Sequence, residues 1–172
     1  MTGAPVPQPR IVILCCGNPS RGDDALGPAL LERVFEWTRA NPGRQVVVAQ
    51  DFQLQVEHTL DMVGCDLVLF VDASTIGPGP VTLRPVVPSG HPSFSTHALS
   101  PEALLHVFNT LGCGDPPPAF ALGIRGHSFD LGQPLSMQAQ ENLGVAWDLL
   151  SQLLDGPSES HWRGRCTPGV TA

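Results

Sequence analysis

Gly17-Asn18-Pro19-Ser20-Arg21-Gly22-Asp23-Asp24-Ala25-Leu26-Gly27 is a loop set between two kinds of apolar pattern. Before it runs Ile11-Val12-Ile13-Leu14-Cys15-Cys16, short and uninterrupted, as expected of a strand buried on both faces. After it Leu26, Ala29, Leu30, Val34 and Trp37 recur at helical spacing, while Glu32, Arg33 and Glu36 face water; this helix should end before Asn41-Pro42-Gly43. The stretch is therefore a strand-to-helix turn. Gly17 and Gly22 permit a positive φ or a close backbone approach, and Pro19 stiffens the loop. Ligands of open α/β sheets bind outside the carboxyl ends of strands, so Asp23 and Asp24 stand at a candidate site. One Asp is ordinary helix N-cap chemistry, favoured by the helix dipole. Two adjacent acids are more than a cap requires. The loop is not a phosphate cradle, because Asp-Asp stands where a P-loop places Lys-Ser or Lys-Thr and no GxGxxG is present.

Outward from this turn the pattern repeats. Gln45-Val46-Val47-Val48-Ala49 reads as a second strand leading to Asp51-Phe52-Gln53, and Leu54, Val56, Leu60 and Met62 as a short helical stretch before Gly64. Asp66-Leu67-Val68-Leu69-Phe70-Val71 is a third buried strand with Asp72 at its carboxyl end. Val81-Thr82-Leu83-Arg84-Pro85 suits an antiparallel edge, where proline is tolerated. A loop rich in Ser, Pro and Gly delivers His97, after which Ser100 reads as an N-cap with Pro101 at the first helical position. Ala119-Phe120-Ala121-Leu122-Gly123-Ile124 is the last core strand, and Ser136 caps a final helix carrying Leu143, Ala146, Trp147, Leu150 and Leu154. Strands alternating with helices predict an α/β three-layer sandwich: a twisted, mostly parallel sheet with helices on both faces. Residues 10–154 are expected to form a single domain. The proline-containing stretch 1–9 and the polar stretch 155–172, including Trp162, Arg163 and Arg165, are expected to be flexible.

Composition narrows the function. In 172 residues, 42% are hydrophobic and 15% charged, which supports one domain with a sizeable core. A formal charge of −7 without a Lys/Arg run argues against nucleic acid and anionic membranes as partners. No apolar run reaches membrane-spanning length and no secretory leader is evident, so a cytoplasmic protein is expected. The five cysteines include no CxxC, and the neighbours Cys15 and Cys16 point to opposite faces of a strand. Cys15, Cys16 and Cys65 read as small apolar residues and Cys113 and Cys166 as more exposed; none has a nucleophile signature.

Asp24, Asp72 and His97 are the groups such a sheet would gather. Two carboxylates and an imidazole suit a divalent ion of borderline hardness, such as nickel, zinc or iron, although His97 and Asp72 equally suit local structural roles at a helix entrance and a turn. The chain also carries an ordered set of motifs: Gly17-Asn18 with Asp23-Asp24 and Gly27; Val71-Asp72-Ala73; His97-Ala98-Leu99-Ser100-Pro101; and Gly126-His127-Ser128-Phe129-Asp130-Leu131-Gly132 with Leu135-Ser136. From about Arg10 to Leu154 it resembles the hydrogenase maturation endopeptidases.

That resemblance implies a twisted sheet flanked by helices, and an aspartyl-type endopeptidase that removes a C-terminal peptide from the precursor of a [NiFe]-hydrogenase large subunit after nickel insertion. It implies that Asp24, Asp72 and His97 contact nickel carried by the precursor, with no permanently held catalytic metal. Two mechanisms stay open: Asp24 or Asp72 acts as general base for a water, or the two acids and His97 only dock the nickel while another group transfers the proton. The partner implied is the large-subunit precursor. Two departures stand out: Ala25 replaces a glycine frequent in the family, and Asp51-Phe52-Gln53-Leu54-Gln55-Val56-Glu57 is similar to the variant in proteases of cytosolic, NAD-linked hydrogenases. The different-class readings are a non-catalytic flavodoxin-like binding module and a metal-dependent hydrolase of another substrate. Asp51, Arg21 and His127 have no assigned role at this level.

Overall fold

Alternation along one strand feeds two cores. Ile11, Ile13 and Cys15 of β1 (Arg10–Cys16) face one apolar cluster and Val12, Leu14 and Cys16 the other, all at most 7% exposed. The computed structural model describes residues 8–90 and 99–170. Within them β1, β2 (Gln45–Asp51), β3 (Leu67–Ser74), β4 (Val81–Val86) and β5 (Ala119–Arg125) form one sheet in the order β2-β1-β3-β5-β4. The pairs β1–β2, β1–β3 and β3–β5 are parallel, and edge strand β4 runs antiparallel to β5. Pro85 lies on that edge strand.

Helices cover both faces, as the alternating pattern predicts. Leu26, Leu30, Leu31 and Val34 of α1 (Leu26–Ala40) pack with Leu143, Ala146, Leu150, Leu153 and Leu154 of α4 (Met137–Asp155) on one side. On the other, Met62 of α2 (Thr59–Met62) joins Leu104, Leu105 and Phe108 of α3 (Pro101–Thr110). Ser100 and Ser136 are the N-caps of α3 and α4, accepting the N–H groups of Ala103 and Ala139. Among the described residues no helix is long and apolar enough to cross a membrane.

The chain leaves β1 toward β2 and returns on the other side of β1 to form β3. That reversal between β1 and β3 is the switch point at which doubly wound sheets open a crevice at the carboxyl ends of their strands.

Two expectations are corrected. Asp23 and Asp24 do not cap α1; they lie in a 3-10 turn, Gly22–Ala25, that precedes it, and no side chain caps either element. The segment after Asp155 is docked where a flexible tail was expected. Residues Glu159–Gly164 form α5, whose Trp162 is fully buried against Phe120, edge to face with ring centroids 5.3 Å apart. Its indole N–H donates to the Leu153 carbonyl (2.9 Å), one of the terminal α4 acceptors that lack a helical donor. Thr167 N–H then donates to the Leu83 carbonyl (2.8 Å) and Leu83 N–H to Thr167 Oγ1 (2.9 Å), fastening the segment to β4. Gly-Pro-Ser composition misled here because one aromatic side chain supplied the burial that the polar residues around it could not.

Candidate active site

The loop after β1 is locked by one buried carboxylate. Asp23 has no exposed surface; its Oδ2 accepts the N–H groups of His127 (2.7 Å) and Ser128 (2.9 Å) and the hydroxyl of Ser136 (2.8 Å), and its Oδ1 the N–H of Ser136 (2.7 Å). Burial alone would raise its pKa, but these four donors outweigh it and hold the carboxyl below its ordinary value. The two loops are joined further by Gly22 N–H to the Gln133 carbonyl (3.0 Å), Gly132 N–H to the Ser20 carbonyl (2.7 Å) and Arg21 Nε to the Phe129 carbonyl (2.9 Å). At Gly22, φ is +52°, and a Cβ there would stand 2.5 Å from the Ser128 carbonyl oxygen, so the close approach requires glycine. The Gly-Asn…Asp-Asp and Gly-His-Ser…Leu-Ser motifs are thus two sides of one bracket. Arg21 and His127 belong to it through the Arg21 guanidinium and the His127 backbone, while the His127 side chain is exposed.

With Asp23 committed to the loop, Asp24 is left to face the crevice. It is half-buried, and its Oδ2 accepts Asn18 N–H at 3.0 Å. Asp72 reaches the same place from β3. The last β1–β3 pair is Cys15 with Val71, whereas β3 continues against β5 as Asp72 with Gly123, Ala73 with Ile124 and Ser74 with Arg125. β3 is therefore longer than the apolar run predicts, and Asp72 is its first residue beyond β1, on the face of Phe70 and α3.

Asp24, Asp72, Cys16 and Phe52 share the lining of a cleft of about 230 Å³, closed on the α3 side by Leu99 and Pro101. Although much of the Asp72 residue surface is open, its carboxyl sits among the crowded strand ends. Desolvation chiefly, and the charge of Asp24 after it, push it up to about 6 against the lowering effect of the Ala73 N–H that donates to it. This is the environment of a proton-transfer group in a cleft. Asp51 ends β2 opposite Cys16, with its Oδ1 accepting Phe52 N–H at 2.6 Å. Cys16, read from sequence only as an apolar residue, is in fact a cleft wall. Burial first, then Asp72, Asp51 and Asp24, push its thiol up to about 12, so it stays neutral there. Its position as the last residue of β1, on the same side as Asp72, was the available sign.

His97 lies outside the described residues; Leu99, the first residue described after that segment, lines the cleft. Among the described residues no three His, Cys, Asp or Glu side chains are grouped closely enough to hold a metal ion. Asp24 and Asp72, which line the same cleft, carry oxygen donors of the kind divalent ions accept.

No family model and no curated protein matches the chain. Solved structures do. A [NiFe] hydrogenase maturation protease HycI from Thermococcus kodakarensis KOD1 is 25% identical, with 86% of this chain and 94% of that chain aligned at a TM-score of 0.64. The hydrogenase maturating endopeptidase HybD from Escherichia coli is 20% identical, with 86% and 93% aligned at 0.63. A second protein of T. kodakarensis, the [NiFe] hydrogenase maturation protease HybD, is 20% identical, with 84% and 99% aligned at 0.58. Shared along nearly the whole length of these proteins, the fold joins the ordered motifs and the paired acids at the switch point, and in all three the chain is similar to the hydrogenase maturation proteases.

Proposed function

We propose that this protein is an aspartyl-type endopeptidase that removes the C-terminal extension of a [NiFe]-hydrogenase large-subunit precursor, and does so once nickel is in place. The observation that carries this reading is the convergence of Asp24 and Asp72 on one cleft, with Asp72 raised to about 6, in a chain that shares the fold of the hydrogenase maturation proteases. A carboxyl near that value is matched to move a proton in both directions at neutral pH. As carboxylate, Asp72 takes a proton from a water whose oxygen attacks the scissile carbonyl; as acid, it returns the proton to the departing amine. One C–N bond is broken and one water consumed. Asp24 and His97, with Asp72, contact the nickel carried by the precursor, so that a metal-free precursor lacks the contact that orders its tail in the cleft.

The test is intact mass of nickel-loaded and nickel-free precursor after mixing with the purified protein. Loss of a C-terminal peptide from the loaded form alone is expected, with kcat/KM reduced about 10²- to 10⁴-fold by Asp72→Asn. The kcat/KM for cleavage should rise with pH through a midpoint of about 6 as Asp72 becomes carboxylate, and level off above it. Equal cleavage of both forms would overturn the metal gate, and wild-type rates for Asp72→Asn would overturn its role.

A further inference from the structure

Asp72 borders a second space besides the cleft it shares with Asp24. This pocket, of about 370 Å³, is lined by Phe70, Ala73, Ile76, Pro101, Leu122 and Val170 among others, and is mainly apolar. Its cation, Arg84, is already ion-paired with Glu102 at 2.7 Å. Asp72, Ala73, Ser74 and Ile76 bring β3 and the turn after it to the lining, and Phe70, Asp72 and Pro101 line both spaces. Val170 adds to the lining from the segment that follows α5. Thr167 is held on β4 by its two hydrogen bonds with Leu83, and Val170 N–H donates to the Thr167 carbonyl at 3.3 Å, a turn that sets Val170 against the pocket.

We propose that this pocket receives an apolar side chain of the departing peptide next to the cleaved bond, and that Val170 and Ile76 set the size and polarity it accepts. The inference rests on the proteolytic reading above. If the bond is cut at Asp72 and the metal end of the precursor is held where Asp24 and Asp72 meet, the chain beyond the bond has to leave across Asp72. At roughly 3.3–3.6 Å per extended residue, its first residues have no farther to go than the neighbouring pocket. A half-open, mainly apolar pocket beside a peptide-cleaving carboxylate selects by burial, and a side chain that fills it gains on one that does not by roughly 10- to 100-fold in kcat/KM. A carboxylate entering it would meet Asp72 and lose its water without a free cation to replace it. Recognition of this half of the substrate is thereby assigned to a wall made by the enzyme's own C-terminal turn.

The experiment uses the full-length protein and nickel-loaded large-subunit precursors whose first residue after the cleaved bond is Gly, Leu, Lys or Asp. Wild-type protein should prefer Leu over Gly and Asp by at least about tenfold in kcat/KM. Filling the pocket by Val170→Trp should lower the Leu-to-Gly ratio about tenfold, mainly through KM, and Ile76→Asp should turn the preference from Leu toward Lys. Ile76 is exposed, so that second variant keeps the test decisive where the first disturbs the C-terminal turn. Cleavage of all four precursors at one rate, with neither variant changing a ratio, would overturn this assignment and leave the protease reading standing. Failure of wild-type protein to cut any loaded precursor would overturn the protease reading and the assignment with it.

Discussion

Desolvation at the carboxyl end of β3, and after it the charge of Asp24, raise the Asp72 carboxyl to about 6, so between the ordinary carboxylate range and pH 6 the folded chain holds a proton that the unfolded chain has released. Folding stability therefore falls as pH rises through that window and stays lowered above it. Asn at position 72 has no charge to desolvate. Asp72→Asn should be more stable than wild type at pH 7.5, by on the order of 1 kcal/mol once solvent screening at this part-open site is allowed for. The difference should vanish near pH 4. Urea unfolding at the two pH values measures it, and equal stability at both would show that Asp72 carries no strain of charge. A group that weakens the fold where it stands is the kind a site retains for its chemistry. Asp23, one residue before Asp24, has the reverse balance, since its four donors favour the charged form. From sequence the two neighbouring acids are alike; what separates them is the partner loop more than a hundred residues away.

At the scale of elements, that loop explains which parts of the site were legible. The strands, the two serine-capped helices and the carboxyl ends bearing Asp24 and Asp72 follow from apolar runs and capping chemistry that are local in sequence. The bracket between residues 17–24 and 126–136 is not local, and no periodicity announces it. Asp23→Ala would leave three backbone N–H groups and the Ser136 hydroxyl without their acceptor, and would loosen the start of α4, where Ser136 is the cap. A loss of about 3–5 kcal/mol is expected at pH 7. Because the folded carboxyl is held below its ordinary value, the stability it contributes is present above the unfolded pKa and disappears as pH falls through the folded one. The gap between wild type and Asp23→Ala in urea unfolding should accordingly narrow in strong acid. A variant within 1 kcal/mol of wild type at pH 7 would mean that water replaces the carboxylate and that the two loops do not depend on it.

For the whole molecule, the sheet ties both cores to the same strands, and the site lies along its carboxyl edge, where the two cores end together. The first core does not stop at α4. Trp162 fills it against Phe120, closes a terminal carbonyl of α4 through Leu153, and stands five residues before the Thr167 contact that fixes the last turn on β4. Trp162→Ala should therefore cost about 3–5 kcal/mol, from the volume removed and the acceptor left without its indole donor. Both effects act on α4 and β5, which belong to the central packing, so the loss should be global. Trp37 and Trp147, partly buried against the same core, remain as fluorescence probes, and their transition in urea should coincide with that of far-UV circular dichroism at a lower midpoint. An unchanged midpoint would mean that α5 adds nothing to the core. A separate, earlier fluorescence transition would mean that α5 and the neighbouring core face unfold apart from the sheet. The coincident result would mean that the α1 and α4 face and the sheet unfold as one unit, with Trp162 part of what holds them.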